Sequence, residues 1–329
     1  MLPGDRRAAP ATPALAEDHQ DADQGHFELW RGSDGLLVDG GDSEGSATIN
    51  HNTLLVDDGG RHMNYPPNQG VWGTKVRTTR FGDDGLVAVA VGDIGEAYAP
   101  SCAQDGCTKR SVEQLVRTFV FVRPSLVVVD DRVVLERAKT SVVWAAHTTT
   151  PPTVASSIAS AVVGASRVDV RTLEPQNAEG SARREPTPSG EGSHRANHPW
   201  GPMWRIEVAS PRGSRERGFL HFITVDRAEA APAPSHLVSG EGLRGSIGRV
   251  DERTTAVLFA PPSGEGHAAL GAAADIVVIA GLAPGRRYRV SVDPSPSCIV
   301  KISPTEDAAA PAATSGGYVR VTAKQCGGR

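Results

Sequence analysis

The sequence predicts an all-β protein, a large antiparallel multi-sheet β-sandwich, and three observations carry the prediction. Gly (36 residues) and Pro (24 residues) are abundant while aromatics make up 5%, and Thr and Val are plentiful, a mixture that favours short strands and many turns over helix bundles. From about Phe27 onward, short alternating or Val-rich runs recur between Gly, Asp and Pro punctuation, the pattern of antiparallel sheets. No fixed-period repeat is visible, so propellers and solenoids lose their usual sequence support. With 329 residues, 39% of them hydrophobic, the chain can bury a core as one large all-β unit or two smaller ones.

The elements follow in order. Residues 1–16 read as a disordered segment, in which Arg6 and Arg7 precede an Ala/Pro-rich stretch lacking the continuous apolar region of a signal peptide. Residues 17–225 then form a β-sandwich, with strands expected at Gly35 to Asp39, His51 to Asp57, Leu86 to Val91, Leu115 to Val122, Leu126 to Val134 and Ser141 to Thr148. Within FVFVRPSLVVVDD, Arg123-Pro124-Ser125 interrupts two β-branched runs and predicts strand, turn, strand. Runs at Val162 to Val170, Trp204 to Val208 and Phe219 to Val225 complete this unit. Residues 226–329 form a C-terminal β-sheet subdomain with runs at Ala256 to Phe259, Ile276 to Ile279, Tyr288 to Val292 and Tyr318 to Val321. Glu174 to Pro199 and Pro304 to Gly317 read as surface loops.

Charge and cysteines narrow the function classes. A net charge of -4 and no concentrated basic stripe argue against a nucleic-acid partner, and no apolar run reaches the length of a membrane span. Cys102 with Cys107 and Cys298 with Cys326 are natural pairs, which would favour an oxidising compartment; free thiols at a loop tip are the alternative for the first pair.

The densest set of potential ligands is DHQDADQGHFELWRGSDGLLVDGG, followed by HNTLLVDD. In extended chain, alternate residues share a face, so His19, Asp21 and Asp23 can point the same way. Asp39 closes one apolar strand and His51 opens the next, so neighbouring strand ends can bring Asp21, Asp39 and His51 together as a three-point metal site with an open position. Taken singly, each has a plainer reading: His19 and His51 as structural histidines, Asp39 before Gly40-Gly41 as a turn residue, Asp21 and Asp23 as a solvated edge. His147 either joins the site or satisfies a buried strand.

At these residues the sequence resembles the heparinase II/III family, whose C-terminal sandwich has a His-x-His-x-Asp-x-Gly-x-Phe segment, a Leu-x-Asp-x-Gly turn and a His-Asn-Thr strand. Here they read His19 to Phe27, Leu37-Val38-Asp39-Gly40-Gly41 and His51-Asn52-Thr53. The FVRPSLVVVDD hairpin and the Trp144 to His147 strand also look like the family, so the resemblance covers roughly residues 17 to 150. It implies a supersandwich-like fold, with His19 lining the catalytic cleft and Asp21, Asp39 and His51 as metal ligands. Asp21 stands where zinc-bearing members have a second histidine, which leaves zinc as first choice and brings calcium or manganese into consideration.

The resemblance further implies a carbon-oxygen lyase that cleaves uronic-acid polysaccharides by β-elimination, in an extracytoplasmic setting. The family's N-terminal α/α-toroid supplies most catalytic groups and is expected to be absent from this chain, so the chain alone should be poorly active and a separately encoded toroid half is a candidate partner. Tyr65 has no motif assigning it a role, and Arg31, Arg61, Arg77 and Arg80 are the cations available for an acidic sugar. The rival classes are a non-catalytic carbohydrate-binding or structural sandwich, a metal-dependent hydrolase and a pseudoenzyme fragment.

Overall fold

A computed structural model describes residues 23–39, 48–57, 69, 76–98, 111–184, 203–293 and 298–322. Among the described residues there are strands and two 3-10 turns, and no α-helix. An eight-stranded sheet runs, in spatial order, β4 (Arg77–Asp83), β5 (Val87–Asp93), β6 (Val112–Val122), β7 (Leu126–Leu135), β14 (Glu216–Arg227), β11 (Ser166–Glu174), β10 (Ile158–Val163) and β9 (Thr153–Ala155). A four-stranded sheet contains β12 (Gly180–Arg184), β13 (Trp204–Ala209), β8 (Ser141–Thr148) and β3 (Leu54–Asp57). A five-stranded sheet contains β15 (Ser235–Ser239), β16 (Arg244–Val250), β17 (Arg253–Phe259), β19 (Ile276–Ala280) and β22 (Val319–Thr322). A three-stranded sheet contains β18 (Gly266–Ala269), β21 (Ile299–Pro304) and β20 (Tyr288–Asp293), and a hairpin of β1 (Leu29–Arg31) and β2 (Asp34–Leu37) stands apart.

These sheets stack as layers because successive side chains of a strand point to opposite faces. On β7, Val127 and Val129 pack with Val142 and Trp144 of the four-stranded sheet, while Leu126 and Val128 pack with Val257 and Val278 of the five-stranded sheet. On β17, Val257 faces the eight-stranded sheet, whereas Ala256 and Leu258 face Val300 and Ile302 of the three-stranded one. A strand buried on both faces reads as a continuous apolar run, which is why Leu126 to Val129 and Ile276 to Ala280 lack alternation.

The expected hairpin at Arg123-Pro124-Ser125 forms, joining β6 to β7 with Val122 opposite Leu126. Three expectations need correcting. The run Val162 to Val170 is a hairpin, not a strand: Val163 pairs with Ser166, and Gly164 takes φ 57°, as the first position of a two-residue turn of the II′ kind requires. The expected loop from Glu174 carries edge strand β12, whose sequence GSARR hides it because edges tolerate polar and charged residues. Pairing is antiparallel except between β17 and β19, which run parallel.

One consequence of layering is a neutral histidine in the core. His221 on β14 is fully buried, its ring centroid 4.0 Å from that of Trp144 and its Nδ1 3.2 Å from Thr172 Oγ1. Burial, with the charge of Arg117 adding to it, pulls its pKa from 6.5 to about 3. A group whose folded pKa is depressed binds fewer protons folded than unfolded, so stability falls as pH drops from 6.5 toward 3. His221→Phe is therefore expected to flatten the acid side of the stability profile, by roughly 2–3 kcal/mol near pH 4.5. Urea midpoints measured across that range test it; an unchanged slope would refute the assignment.

Candidate functional site

The site is assembled from three short segments at one end of the four-stranded sheet. In the first, His26 N–H donates to Asp23 O (2.7 Å), closing a turn in which Gly25 has φ 78°. Only glycine suits that third position of a type II turn, and a Cβ there would lie 2.6 Å from Ile94 Cδ1. In the second, Val38 N–H donates to His147 O (3.1 Å), so that β2 is carried onto the end of β8 and Asp39 emerges beside it. In the third, the 3-10 turn Thr48–Asn50 delivers His51, whose N–H donates to Thr48 O (3.1 Å).

His26, Asp39 and His51 each offer a ligand atom within 4.8 Å of the others. His51 Nδ1 is 3.1 Å and His26 Nε2 is 3.7 Å from Asp39 Oδ2. Ligand atoms about 2.0–2.1 Å from a tetrahedral zinc lie roughly 3.3 Å apart, so these spacings match a shared cation. The second ring nitrogen of His51, Nε2, is buried with no hydrogen-bond partner among the described residues. Burial lowers the pKa of His26 against the opposing pull of Asp39, which keeps its imidazole in the neutral form that ligates metals.

Asn52 holds the segments in register. Its backbone N–H donates to His26 Nδ1 (2.9 Å), its Nδ2 donates to Phe27 O (2.8 Å) and Val38 O (3.1 Å), and its Oδ1 accepts from His147 N–H (2.7 Å) and faces His147 Nδ1 (3.0 Å). Beneath it lies a buried ion pair between β6 and β7: Arg117 Nε and Nη2 bond the two carboxylate oxygens of Asp131 at 2.6 and 3.0 Å. Arg117 Nη1 donates onward to Gly25 O (2.6 Å) and Asn52 O (3.1 Å), tying both histidine-bearing segments to the core. Burial pushes the Asp131 carboxyl up, and the Arg117 charge opposes it.

Of the residues singled out in the sequence, Asp39 and His51 are brought together. His19 and Asp21 lie outside the described residues, as do Tyr65, Arg61, Cys102, Cys107 and Cys326. Asp23 is described but sits at the turn, where its Oδ1 accepts from Gln24 Nε2 (2.9 Å). His147 is fully buried behind Asn52; burial first, then the charge of Arg205, takes its pKa to about 3. Arg80 donates to Leu282 O (2.8 Å) between sheets, and Cys298 is buried in the core shared by the five- and three-stranded sheets. His26 is the member that the alternation argument passed over: the turn at Asp23 to His26 breaks the extended chain on which that argument rested. Its signal was its place between the motif's Gly25 and Phe27.

The family model described as heparinase II/III-like, C-terminal, matches residues 7–193. A search of curated proteins finds no match. Among solved structures, heparan sulfate lyase HepC from Pedobacter heparinus is similar with a TM-score of 0.53 and 12% identity, covering 72% of this chain and 36% of that one. A heparinase III gene product is similar with a TM-score of 0.52 and 14% identity, covering 73% of this chain and 37% of that one. The chain thus spans little more than a third of the length of these structures, and at such identities the likeness shows the fold. Its matched segment covers more than half of its 329 residues and contains every member of the cluster: the chain belongs to the heparinase II/III-like family through that family's C-terminal domain.

Proposed function

We propose that the chain is the metal-bearing β-sandwich of a polysaccharide lyase that cleaves uronic-acid polymers by β-elimination and depends on a helical domain for most of its catalytic groups. The observation that carries the reading is the convergence of His26, Asp39 and His51 within the family-matched segment. Two imidazoles and one carboxylate suit zinc better than calcium or manganese, and three protein ligands leave a fourth position open. A bound cation would supply charge that ties the three segments together beside the cleft. The Asn52 N–H on Nδ1 leaves a neutral His26 with its proton on Nε2, a proton that this nitrogen would have to give up to solvent or to Nδ1 in order to hold a cation.

In the elimination, a base takes the proton from the carbon next to the sugar carboxylate. The electron pair forms a carbon-carbon double bond and the glycosidic oxygen departs with a proton from an acid. Our assignment gives His19 one of these proton-transfer roles by its place in the motif and leaves the other to the helical domain. Charge accumulating on the carboxylate needs a neutralising donor in a site shielded from water.

The chain alone is expected to release no more than traces of unsaturated uronate from heparan sulfate or alginate, followed by ultraviolet absorbance. Joined to an α/α-toroid domain of the family it is expected to release it steadily, and His19→Ala should abolish that release. Saturable glycan binding without unsaturated ends in the joined protein would replace the lyase reading with that of a non-catalytic module. Rapid release by the chain alone would overturn its dependence on the helical domain.

A further inference from the structure

Three sheets end on the same side of the molecule. Edge strands β9 of the eight-stranded sheet, β12 of the four-stranded sheet and β15 of the five-stranded sheet all border one open groove with a volume of about 1000 Å³, a size suited to small organic ligands. None of the residues that line it belongs to the His26–Asp39–His51 cluster. The lining mixes small apolar side chains with hydroxyls and amides, among them Ser156, Ser181, Gln176 and Asn177, and carries one carboxylate, the exposed Glu179, and one imidazole, His236. Ser156 (φ 54°) opens the two-residue turn of the β9–β10 hairpin, and Asn177 (φ 59°) takes the left-handed backbone that Asn tolerates, so two turns set these residues along the groove.

The cation of the groove is Arg171 on β11. Its hydrogen bond among the described residues is a long one, Nη2 to Ala233 O at 3.4 Å, so most of its five N–H donors are unspent. The neighbouring carboxylate, Asp169, is engaged by Arg167 Nε (2.8 and 3.0 Å) and by Ser160 Oγ, and so does not chelate it. Burial lowers the pKa of the Arg171 guanidinium, which marks a charge with part of its hydration already removed. A partly desolvated guanidinium facing an open groove is a receptor for a planar or tetrahedral anion, which it grips with parallel N–H donors.

We propose that this three-edge groove is a saccharide site separate from the metal cluster, seating one acidic sugar with its carboxylate or sulfate on Arg171 and its hydroxyls on Asn177 and Gln176. The inference rests on the reading of the chain as part of a polysaccharide-acting protein. Such a site would hold the polymer on the sandwich while another stretch of it occupies the cleft, raising its local concentration there.

Calorimetric titration of the 329-residue chain with a hyaluronan tetrasaccharide, a heparan sulfate tetrasaccharide and cellotetraose tests it. Binding of an acidic tetrasaccharide is expected, with cellotetraose at least tenfold weaker, and Arg171→Gln is expected to weaken it by about tenfold or more, the value of one charge-assisted bond. Arg171→Lys should fall between the two, and Asn177→Ala should weaken binding a few-fold. Hyaluronan binding identifies the carboxylate as sufficient; binding of the sulfated sugar alone identifies the sulfate. Should Arg171→Gln fail to fold, Arg171→Lys and Asn177→Ala carry the test together. Acidic sugars that bind equally to wild type and these variants, cellotetraose that binds as tightly, or no acidic binding at all would overturn the proposal. Lyase product from the joined protein with Arg171-independent binding would sink the groove alone, and Arg171-dependent binding without product would sink the lyase reading alone.

Discussion

His26→Ala is expected to abolish binding of a divalent ion by the chain. The expectation rests on the proposed metal site, in which His26 Nε2 and His51 Nδ1 flank the same carboxylate oxygen at 3.7 and 3.1 Å. Losing a neighbour that merely orients a ligand typically costs 10–100-fold in affinity, so losing a ligand should cost at least about 100-fold. His51→Ala and Asp39→Ala should behave alike. Zinc content after dialysis, and the visible spectrum of the cobalt-loaded chain, report the result directly. With free zinc near 1,000 times Kd, the wild-type chain should gain about 4 kcal/mol of stability that His26→Ala does not. Zinc retained in full by His26→Ala would remove His26 from the ligand set.

Asp131→Asn is expected to destabilise the chain by roughly 3–5 kcal/mol, because it leaves the Arg117 guanidinium buried without its counter-charge. Both side chains of the pair are fully buried, so water cannot take over from the lost carboxylate. Replacing both, as Arg117→Met with Asp131→Leu, should recover much of that loss, since a buried pair and an apolar pair of similar volume are often close in stability. The double variant should nevertheless bind zinc more weakly, because the carbonyls of Gly25 and Asn52 lose the donor that anchors them. Urea unfolding and zinc titration of the single and double variants separate the two effects. A single variant as stable as wild type would show that the pair does not carry the strain placed on it.

Strands with strong apolar runs were legible because burial on both faces writes itself into the sequence: β8 is found at the expected Ser141 to Thr148. Edge strands were not. β12 answers to solvent and to the groove, and β15 fully buries Val238 alone of its five residues, so GSARR and SHLVS resemble loops. The Val162 to Val170 run failed for a different reason, since one glycine with positive φ folds a Val-rich run back on itself.

By itself the sequence determined the β class, the family and two members of the cluster, Asp39 and His51, since composition, apolar runs and a motif are properties of the chain read in order. The tertiary structure alone decided the third member and the groove. His26 meets Asp39 because a turn at Gly25 is pinned by Arg117 from ninety-two residues away, and the groove exists because strands far apart in sequence end at the same margin. Long-range contacts of that kind follow from packing, and packing has no local signature.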